Sequence, residues 1–357
     1  MIALDRLAQV FRANAAIYGA KGSPLYHALA LRVADDPEIL ALAGSGQAGA
    51  QPALQMLTAV HYLLMTHRDD PLAGFFATLT PVPAPTEQAY PAFRRFCLRH
   101  APAIKRILAT RTVQTTYVER CGGLLPGLSH VANLAGEPLD LIEIGCSAGI
   151  LLSFDCYRYR LPNGRIIGPN DAPLTLACDV SGDGPVPDRL PVIGRRIGLD
   201  LQPVDARDPD ARDWILALSF PEFREAQARL AIALDNVAQL DLDRVAGDAL
   251  ETLPDAIAST AGPLCVFHSA CLYYWNAEAR ARLDDLLARM SEGRTLYRLG
   301  IELPDAYRIW ANEGRGDEGG IDADPACDVV LVRYRDGVRN GRHIGYVRSN
   351  TGSYRWS

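Results

Sequence analysis

The stretch LIEIGCSAGILL at residues 141–152 contains the residues whose types and spacing are best suited to chemistry. An apolar run leads to Glu143, and two glycines, Gly145 and Gly149, follow it. Glycine lets a backbone approach a ligand closely, and the N–H groups at the start of a helix attract a polar or anionic group. The stretch therefore predicts a strand, a ligand-binding loop and then a helix.

The same stretch also fits the G-x-S-x-G pattern, which presents a serine nucleophile on a sharp turn between a strand and a helix. Ser147 would then be the nucleophile, and His268 or His343 would supply the base. Such hydrolases build several strands before this turn, whereas the preceding residues here have helical periodicity. We therefore favour a cofactor loop and keep a serine hydrolase as the alternative.

The apolar pattern changes near residue 137. Residues 1–136 have the spacing of amphipathic helices, which predicts a helical N-terminal cap domain. Residues 137–357 alternate short apolar runs with helical stretches, which is typical of an α/β fold with a mostly parallel sheet. We predict five parallel strands and then an antiparallel pair, at 139–144, 195–200, 244–247, 263–268, 295–303, 327–335 and 342–349.

Two segments interrupt this alternation. Residues 157–191 contain an Asn163-Gly164 turn signal and alternating apolar residues, which predict an inserted hairpin. The acidic, glycine-rich residues 311–325 predict a solvated loop. After the fourth strand, Asn276 is a candidate N-cap for a helix.

The order of glycines and acids after the first strand resembles the cofactor-binding motifs of class I S-adenosylmethionine-dependent methyltransferases. E-x-G-x-x-x-G is similar to their glycine loop. IGLDLQP at 197–203 is similar to the segment whose acid binds both ribose hydroxyls, and VAGDAL at 245–250 to the segment whose acid contacts the adenine amino group. Carboxylates suit both contacts because they accept several hydrogen bonds in fixed geometry.

The resemblance implies a Rossmann-like methyltransferase sheet over residues 137–357, with S-adenosylmethionine as the cofactor. It assigns cofactor binding to Glu143, Gly145, Cys146, Ser147, Gly149, Asp200, Leu201, Asp248 and Ala249.

One spacing departs from the usual pattern. Asp200 lies 57 positions after Glu143, whereas a nucleotide-binding unit places its acid about 20 residues on. We attribute the excess to the insertion at 157–191. If Asp179 ended the second strand instead, the ribose contact would move there. The whole chain, with GPNDAPL at 168–174, is also similar to a bacterial family of unknown function, which implies the fold but no substrate.

The stretch CVFHSACLYYW follows the fourth strand and holds the candidates for methyl transfer itself, since ligands of open parallel sheets bind beyond the carboxyl ends of the strands. His268 is a candidate base or cofactor contact, and a hydrogen-bonded structural histidine is an equally good interpretation. Tyr273, with Tyr274 and Trp275, is a candidate aromatic wall near the positive sulfur or the acceptor. Simple packing against the N-terminal helices is the more ordinary explanation for the three rings.

Arg120 precedes the first predicted strand in TVQTTYVERCGGLLPGL, where a helix would cover the cofactor. Its guanidinium is a candidate fork for the methionine carboxylate of the ligand. An ion pair with Glu119 is the plainer interpretation.

The composition restricts the partners. The net charge is −6 with scattered Lys and Arg, so no basic stripe favours nucleic acid. No apolar run reaches the ~18 residues that a membrane span needs. The eight cysteines form no C-x-x-C pair and the seven histidines have no metal-binding spacing, so we expect a reduced, cytoplasmic protein without a metal site.

We therefore predict an S-adenosylmethionine-dependent methyltransferase that acts on a small-molecule acceptor. A serine hydrolase and a non-catalytic S-adenosylmethionine-binding protein remain as alternatives. The sequence does not determine the oligomeric state.

Overall fold

The computed structural model describes residues 4–46, 51–304, 326–348 and 351–357. The helices are α1 (Leu4–Ala20), α2 (Pro24–Ala34), α3 (Pro37–Ala43), α4 (Pro52–Thr66), α5 (Ala89–Arg99), α6 (Ala101–Thr110), α7 (Arg120–Ala135), α8 (Pro209–Ala217), α9 (Arg224–Gln239), α10 (Ala249–Ala258) and α11 (Ala277–Met290). The strands are β1 (Leu139–Ile144), β2 (Arg158–Arg160), β3 (Ile166–Ile167), β4 (Thr175–Ala177), β5 (Asp179–Ser181), β6 (Ile193–Asp200), β7 (Asp243–Ala246), β8 (Leu264–Ser269), β9 (Thr295–Glu302), β10 (Ala326–Arg335), β11 (Val338–Arg348) and β12 (Ser353–Trp356). The loop predicted at 311–325 lies outside the described residues.

The first of two compact units contains the described residues 4–46, 51–116 and 208–231 and is helical. Proline opens α2, α3, α4 and α8, where a missing N–H costs no helical hydrogen bond. The core is one cluster of aliphatic and aromatic side chains, which Phe220 joins. Residues 208–231 are thus grouped with the N-terminal helices, whereas the sequence predicted a single boundary near 137.

The second unit contains residues 117–207, 232–304, 326–348 and 351–357 and is built around a nine-stranded sheet. The strand order is β5-β12-β11-β10-β9-β8-β1-β6-β7, and β7, β6, β1, β8 and β9 are mutually parallel. β10, β11 and β12 continue as an antiparallel meander. The predicted α/β fold, with a mostly parallel sheet and a C-terminal antiparallel pair, is confirmed.

Strand alternation places different groups on the two faces of the sheet. Ile142 and Ile144 of β1 pack on one face with apolar residues of α10 and α11. Because successive side chains of a strand point in opposite directions, Glu143 belongs to the other face. α7 packs on that other face, close to β9: a Cβ on Gly127 would lie 2.9 Å from Cδ2 of Leu299.

The insertion at 157–191 is more than the predicted hairpin. β2 and β3 do form an antiparallel pair around the Asn163-Gly164 turn, where Gly164 has a φ of +80°. β4 then pairs in parallel with β2 to complete a separate three-stranded sheet. The sequence did not predict β5. This strand follows β4 in the chain but belongs to the large sheet, where it pairs in parallel with β12.

The helix predicted directly after the glycine loop is wrong. The chain forms only a six-residue 3₁₀ helix, Leu151–Cys156, before β2 begins. The Ser153 hydroxyl donates to the carbonyl of Ile150 at 2.7 Å, and such local side-chain bonds compete with regular helix. By contrast, the helix predicted after β8 is α11, and Asn276 caps it by accepting the N–H of Ala279 at 2.8 Å.

Within the residues that the structure describes, none of the helices combines the length and the apolar composition that crossing a bilayer requires. None of the eight cysteines, all of which lie in the part of the chain that the structure describes, forms a disulfide bond.

Candidate functional site

The chain reverses its direction across the sheet at β1. After β1 it builds β6 and β7 on one side, and it then returns to build β8 and β9 on the other. In open parallel sheets the crevice at such a switch point, beyond the carboxyl ends of the strands, is where ligands bind. The loops after β1, β6 and β8 are therefore the elements that form the candidate site.

Glu143, at the end of β1, is a buried carboxylate with an unsatisfied oxygen. Its side chain is 3% exposed, and Oε2 has no hydrogen-bond partner among the described residues. Burial raises the pKa of Glu143 well above its ordinary value, and the charge of Asp200 raises it further, while Arg120 opposes both. A buried acceptor of this kind is costly unless a ligand or a proton satisfies it.

The two glycines of the loop are explained by contacts inside the protein. Gly145 has a φ of +76°, and a Cβ there would lie 2.5 Å from Sγ of Cys271 in the loop after β8. Gly149 has a φ of +84°, and a Cβ there would collide with Leu242. Both conformations favour glycine, and both positions allow neighbouring segments to close on the loop. The glycines thus fix the shape of the candidate site.

Cys146 packs inward, against β6. A Cβ on Gly198 would lie 2.6 Å from its Sγ, so the glycine of β6 provides the space for this side chain. Cys146 is buried, and burial raises the pKa of its thiol well above the ordinary value. This cysteine is therefore a packing residue of the loop rather than a reactive thiolate.

Asp200 connects the end of β6 to the glycine loop. Its Oδ2 accepts the backbone N–H of Ser147 at 2.8 Å, and its Oδ1 accepts that of Gln202 at 2.9 Å. β6 lies directly beside β1 and ends at Asp200, whereas Asp179 begins β5 at the far edge of the sheet. The second-strand acid beside β1 is thus Asp200 and not the alternative Asp179.

Ser147 is held in an unusual backbone conformation. Its φ is +51°, and its buried Oγ has no hydrogen-bond partner among the described residues. Its carbonyl accepts the N–H of Val204 at 2.9 Å.

Leu201, directly after Asp200, is 75% exposed, so an apolar side chain faces solvent beside the loop.

The loop after β7 adjoins the loop after β6. Gly247 donates its N–H to the carbonyl of Asp200 at 2.9 Å. Asp248 is the N-cap of α10 and accepts the N–H of Leu250 at 2.8 Å, and Ala249 is the first residue of the helix. Asp248 is exposed and follows directly after the loop at the end of β7.

His268 is fully buried at the end of β8. Its Nδ1 lies 2.8 Å from Oε1 of Glu302, and Nδ1 carries the proton because a carboxylate only accepts. Burial lowers the pKa of His268, although Glu302 opposes the shift. The Nδ1 bond to Glu302 fits the hydrogen-bonded structural role, whereas the buried Nε2 has no hydrogen-bond partner among the described residues, so contact of His268 with a ligand stays a prediction.

Glu302, at the end of β9, is a residue that the sequence analysis missed. It is fully buried, and its Oε1 also accepts the N–H groups of Cys271 and Leu272 at 2.9 and 3.0 Å. The signal was a lone acid closing the apolar strand YRLGIELP. A buried acid at the end of a strand needs a partner, and here its partners define the loop after β8.

Two of the three aromatic residues after β8 are exposed, whereas Trp275 is partly buried and packs against the apolar cluster that includes residues of β1 and α11. Tyr273 is 39% and Tyr274 60% exposed, and their ring centroids are 3.9 Å apart. The Arg120 guanidinium, at the start of α7, lies 5.7 Å from the ring centre of Tyr117. Its positive charge lowers the pKa of both Glu143 and Tyr273, against the larger effect of their burial.

Among the described residues, His, Cys, Asp and Glu side chains form no group of three or more that could hold a metal ion.

The chain belongs to a bacterial family described as "Uncharacterized protein conserved in bacteria (DUF2332)", which matches residues 8–356. Comparison with curated proteins gives no match.

Proposed function

We propose that the protein is an S-adenosylmethionine-dependent methyltransferase with a Rossmann-like core of the class I type, acting on a small-molecule acceptor. The strand order β7-β6-β1-β8-β9 supports this core, since Glu143 is the last residue but one of β1 and Asp200 is the last of β6 at its switch point. The replacement of the first helix by a short 3₁₀ helix is a departure from the usual unit.

One observation carries the proposal: the buried carboxylate of Glu143, with Oε2 unsatisfied, beside Asp200. Two neighbouring acids favour a ligand with positive charge and hydroxyl donors over a phosphate. S-adenosylmethionine has an ammonium group, a sulfonium and two ribose hydroxyls. These donors fit the carboxylates that are present.

Each residue of the proposed cofactor site has a distinct role. Glu143 accepts from the ammonium side of the ligand, and Asp200 accepts from the ribose hydroxyls alongside its backbone contacts, since each carboxylate oxygen can accept more than one hydrogen bond. Asp248, with Leu201 and Ala249 beside it, borders the adenine. Arg120 pairs with the methionine carboxylate as a fork.

The bound cofactor would supply the methyl group, and the protein would align the acceptor and exclude water. His268 donates its Nδ1–H to Glu302, which leaves a lone pair on its buried Nε2. Tyr273 is half-exposed at the carboxyl end of β8, which makes it the better candidate to contact an acceptor.

Calorimetric titration with S-adenosylhomocysteine tests the cofactor site. We expect micromolar binding to the wild type and at least tenfold weaker binding to Asp200→Ala, about 1.4 kcal/mol. Asp179→Ala is the matched control, because this aspartate lies at the far edge of the sheet, and its affinity should equal that of the wild type. The absence of wild-type binding would refute the proposal, and binding without turnover on an acceptor panel would favour a non-catalytic binding protein.

The positive φ of Ser147 favours one alternative, a serine hydrolase, because a nucleophile on a strand-to-helix turn has a strained backbone. No histidine among the described residues hydrogen-bonds to its Oγ. A fluorophosphonate probe separates the two functions: labelling that Ser147→Ala abolishes would support a hydrolase, and an unlabelled protein supports the cofactor loop.

A further inference from the structure

The loop of residues 270–274 is held in place by hydrogen bonds to one buried carboxylate, that of Glu302. Glu302 accepts the main-chain N–H groups of Cys271 and Leu272, and the Nδ1–H of His268, all through Oε1. The N–H of Cys271 also lies 3.1 Å from Oε2. Hydrogen bonds to a charged acceptor are stronger than neutral ones, so the anchor is firm.

A second contact holds the same loop against the glycine loop that follows β1. Ala270 has a φ of +52°, which is costly for a residue with a Cβ and persists only where surrounding contacts enforce it. Next to it, Sγ of Cys271 occupies the space that a side chain at Gly145 would need. The loop after β8 is therefore held in one shape against the glycine loop.

What this fixed loop presents to solvent is a pair of aromatic rings. The rings of Tyr273 and Tyr274 lie 3.9 Å apart at an interplanar angle of 36°. Two neighbouring exposed tyrosines on a constrained segment form a preorganised contact surface of large area and low conformational entropy. They lie beyond the carboxyl end of β8, next to the switch point where the cofactor is proposed to bind.

We propose that Glu302 is a positioning residue, and that the Tyr273–Tyr274 surface it holds in place binds the aromatic ring of the methyl acceptor. The inference rests on the proposed function in taking the aromatic ligand as the acceptor. Tyrosine faces recognise a flat ring through offset or edge-to-face contacts, which a puckered ring of equal size makes poorly.

Phenol and cyclohexanol are a matched pair of probes, because they share size and hydroxyl group and differ in ring planarity. Binding measured by ligand-observed NMR should favour phenol by roughly fivefold, the preference that an aromatic pair adds beyond buried area. In Tyr273→Leu/Tyr274→Leu the preference should fall to about one. Equal binding of both probes to the wild type, or an unchanged preference in the double variant, would overturn the aromatic site.

Variants of Glu302 test the positioning role. Glu302→Leu removes the acceptor and should abolish the preference for phenol, whereas Glu302→Gln keeps Oε1 and should restore most of it. Tyr334→Phe is the control: it removes the buried contact of Tyr334 with Asp284 without touching the loop, and it should keep the preference. If Glu302→Leu does not fold, Glu302→Asp withdraws the carboxylate by one methylene and should show the same loss. A folded Glu302→Leu or Glu302→Asp that retains the preference contradicts the positioning role.

S-adenosylhomocysteine titration of the same proteins keeps the two proposals apart. If the wild type prefers phenol but does not bind S-adenosylhomocysteine, the aromatic site is supported and the proposed methyltransferase function is refuted. If the wild type binds S-adenosylhomocysteine but does not prefer phenol, the proposed function is supported and the aromatic acceptor site is refuted.

Discussion

Asp200 ties two loops together, since its carboxylate receives the backbone N–H of Ser147 at 2.8 Å from the loop after β1 while it closes β6 itself. Asp200→Ala should therefore lower the free energy of unfolding by about 2 kcal/mol, the value of a hydrogen bond to a charged group in a half-buried site. Urea denaturation measures the change. Asp205→Ala is the control, because the half-exposed Asp205 contacts only the neighbouring Arg207 in the hydrogen bonds described, joins no second loop and should contribute less. Equal losses in the two variants would contradict the role of Asp200.

Glu143 should make the protein less stable as the pH rises. Its pKa is raised in the folded state by burial and by Asp200, so the folded protein keeps its proton above the ordinary value of 4.5. The stabilising contribution is complete below that value and is lost as the pH rises through the folded pKa. The stability of Glu143→Gln relative to the wild type should accordingly increase from pH 5 to pH 8, in urea unfolding at each pH. A constant difference across this range would show that Glu143 is ionised throughout.

Gly145→Ala should lower the free energy of unfolding by more than the positive φ of this residue alone explains. Gly164 provides the comparison, because its φ is +80° and a Cβ there would meet nothing within 4 Å. Gly164→Ala should cost about 1 kcal/mol for the backbone, and Gly145→Ala a further 1–3 kcal/mol, roughly, for the collision with Cys271. Cys271→Ala removes Sγ but keeps Cβ, which would lie 3.0 Å from the added Cβ, so it should recover most of that excess in a double-mutant cycle of unfolding free energies. Strictly additive effects would mean that the two loops do not press on each other.

His61 should make the helical unit sensitive to acid. It is fully buried, with Nδ1 3.0 Å from the carbonyl of Ala217 and Nε2 2.8 Å from the Thr78 hydroxyl. Burial lowers the pKa of His61 from 6.5 to about 4. Between pH 6.5 and 4, His61 is protonated in the unfolded chain but neutral in the folded chain. The free energy of unfolding therefore decreases as the pH falls from 6.5 toward 4, by about 3 kcal/mol at most. His61→Gln should flatten the dependence in thermal unfolding at stepped pH, and an unchanged slope would assign it to other groups.

The parallel strands of the sheet could be predicted because each contains a short apolar stretch between helical segments. β1 was predicted at its observed bounds, and β6, β7, β8 and β9 were placed to within two residues at each end. β5 was missed because it has only three residues, and β12, SYRW, was missed because it has no two consecutive apolar residues, unlike the equally short β7, DRVA. The helix after the glycine loop was wrong because the local pattern fits both helix and 3₁₀ turns, and the hydrogen bond from Ser153 to Ile150 favours the turns.

The candidate site could be predicted in part. The acids at the ends of β1 and β6 were visible as carboxylates closing apolar runs. The same signal at Glu302 went unused, because its importance depends on the N–H groups of Cys271 and Leu272, which lie about 30 residues earlier and only meet it in the folded sheet. The choice between Asp200 and Asp179 required the strand order, which no local pattern contains.

The pairing of β5 with β12 has a consequence for the order of folding during synthesis. Ser181 and Tyr354 meet at this edge although 173 residues separate them. A ribosome-bound chain would thus expose β5 while most of the remaining sheet is made, and the edge would close only when residues 353–356 emerge. Contacts so distant along the chain slow folding, which makes this edge the place where a nascent chain would most need a chaperone.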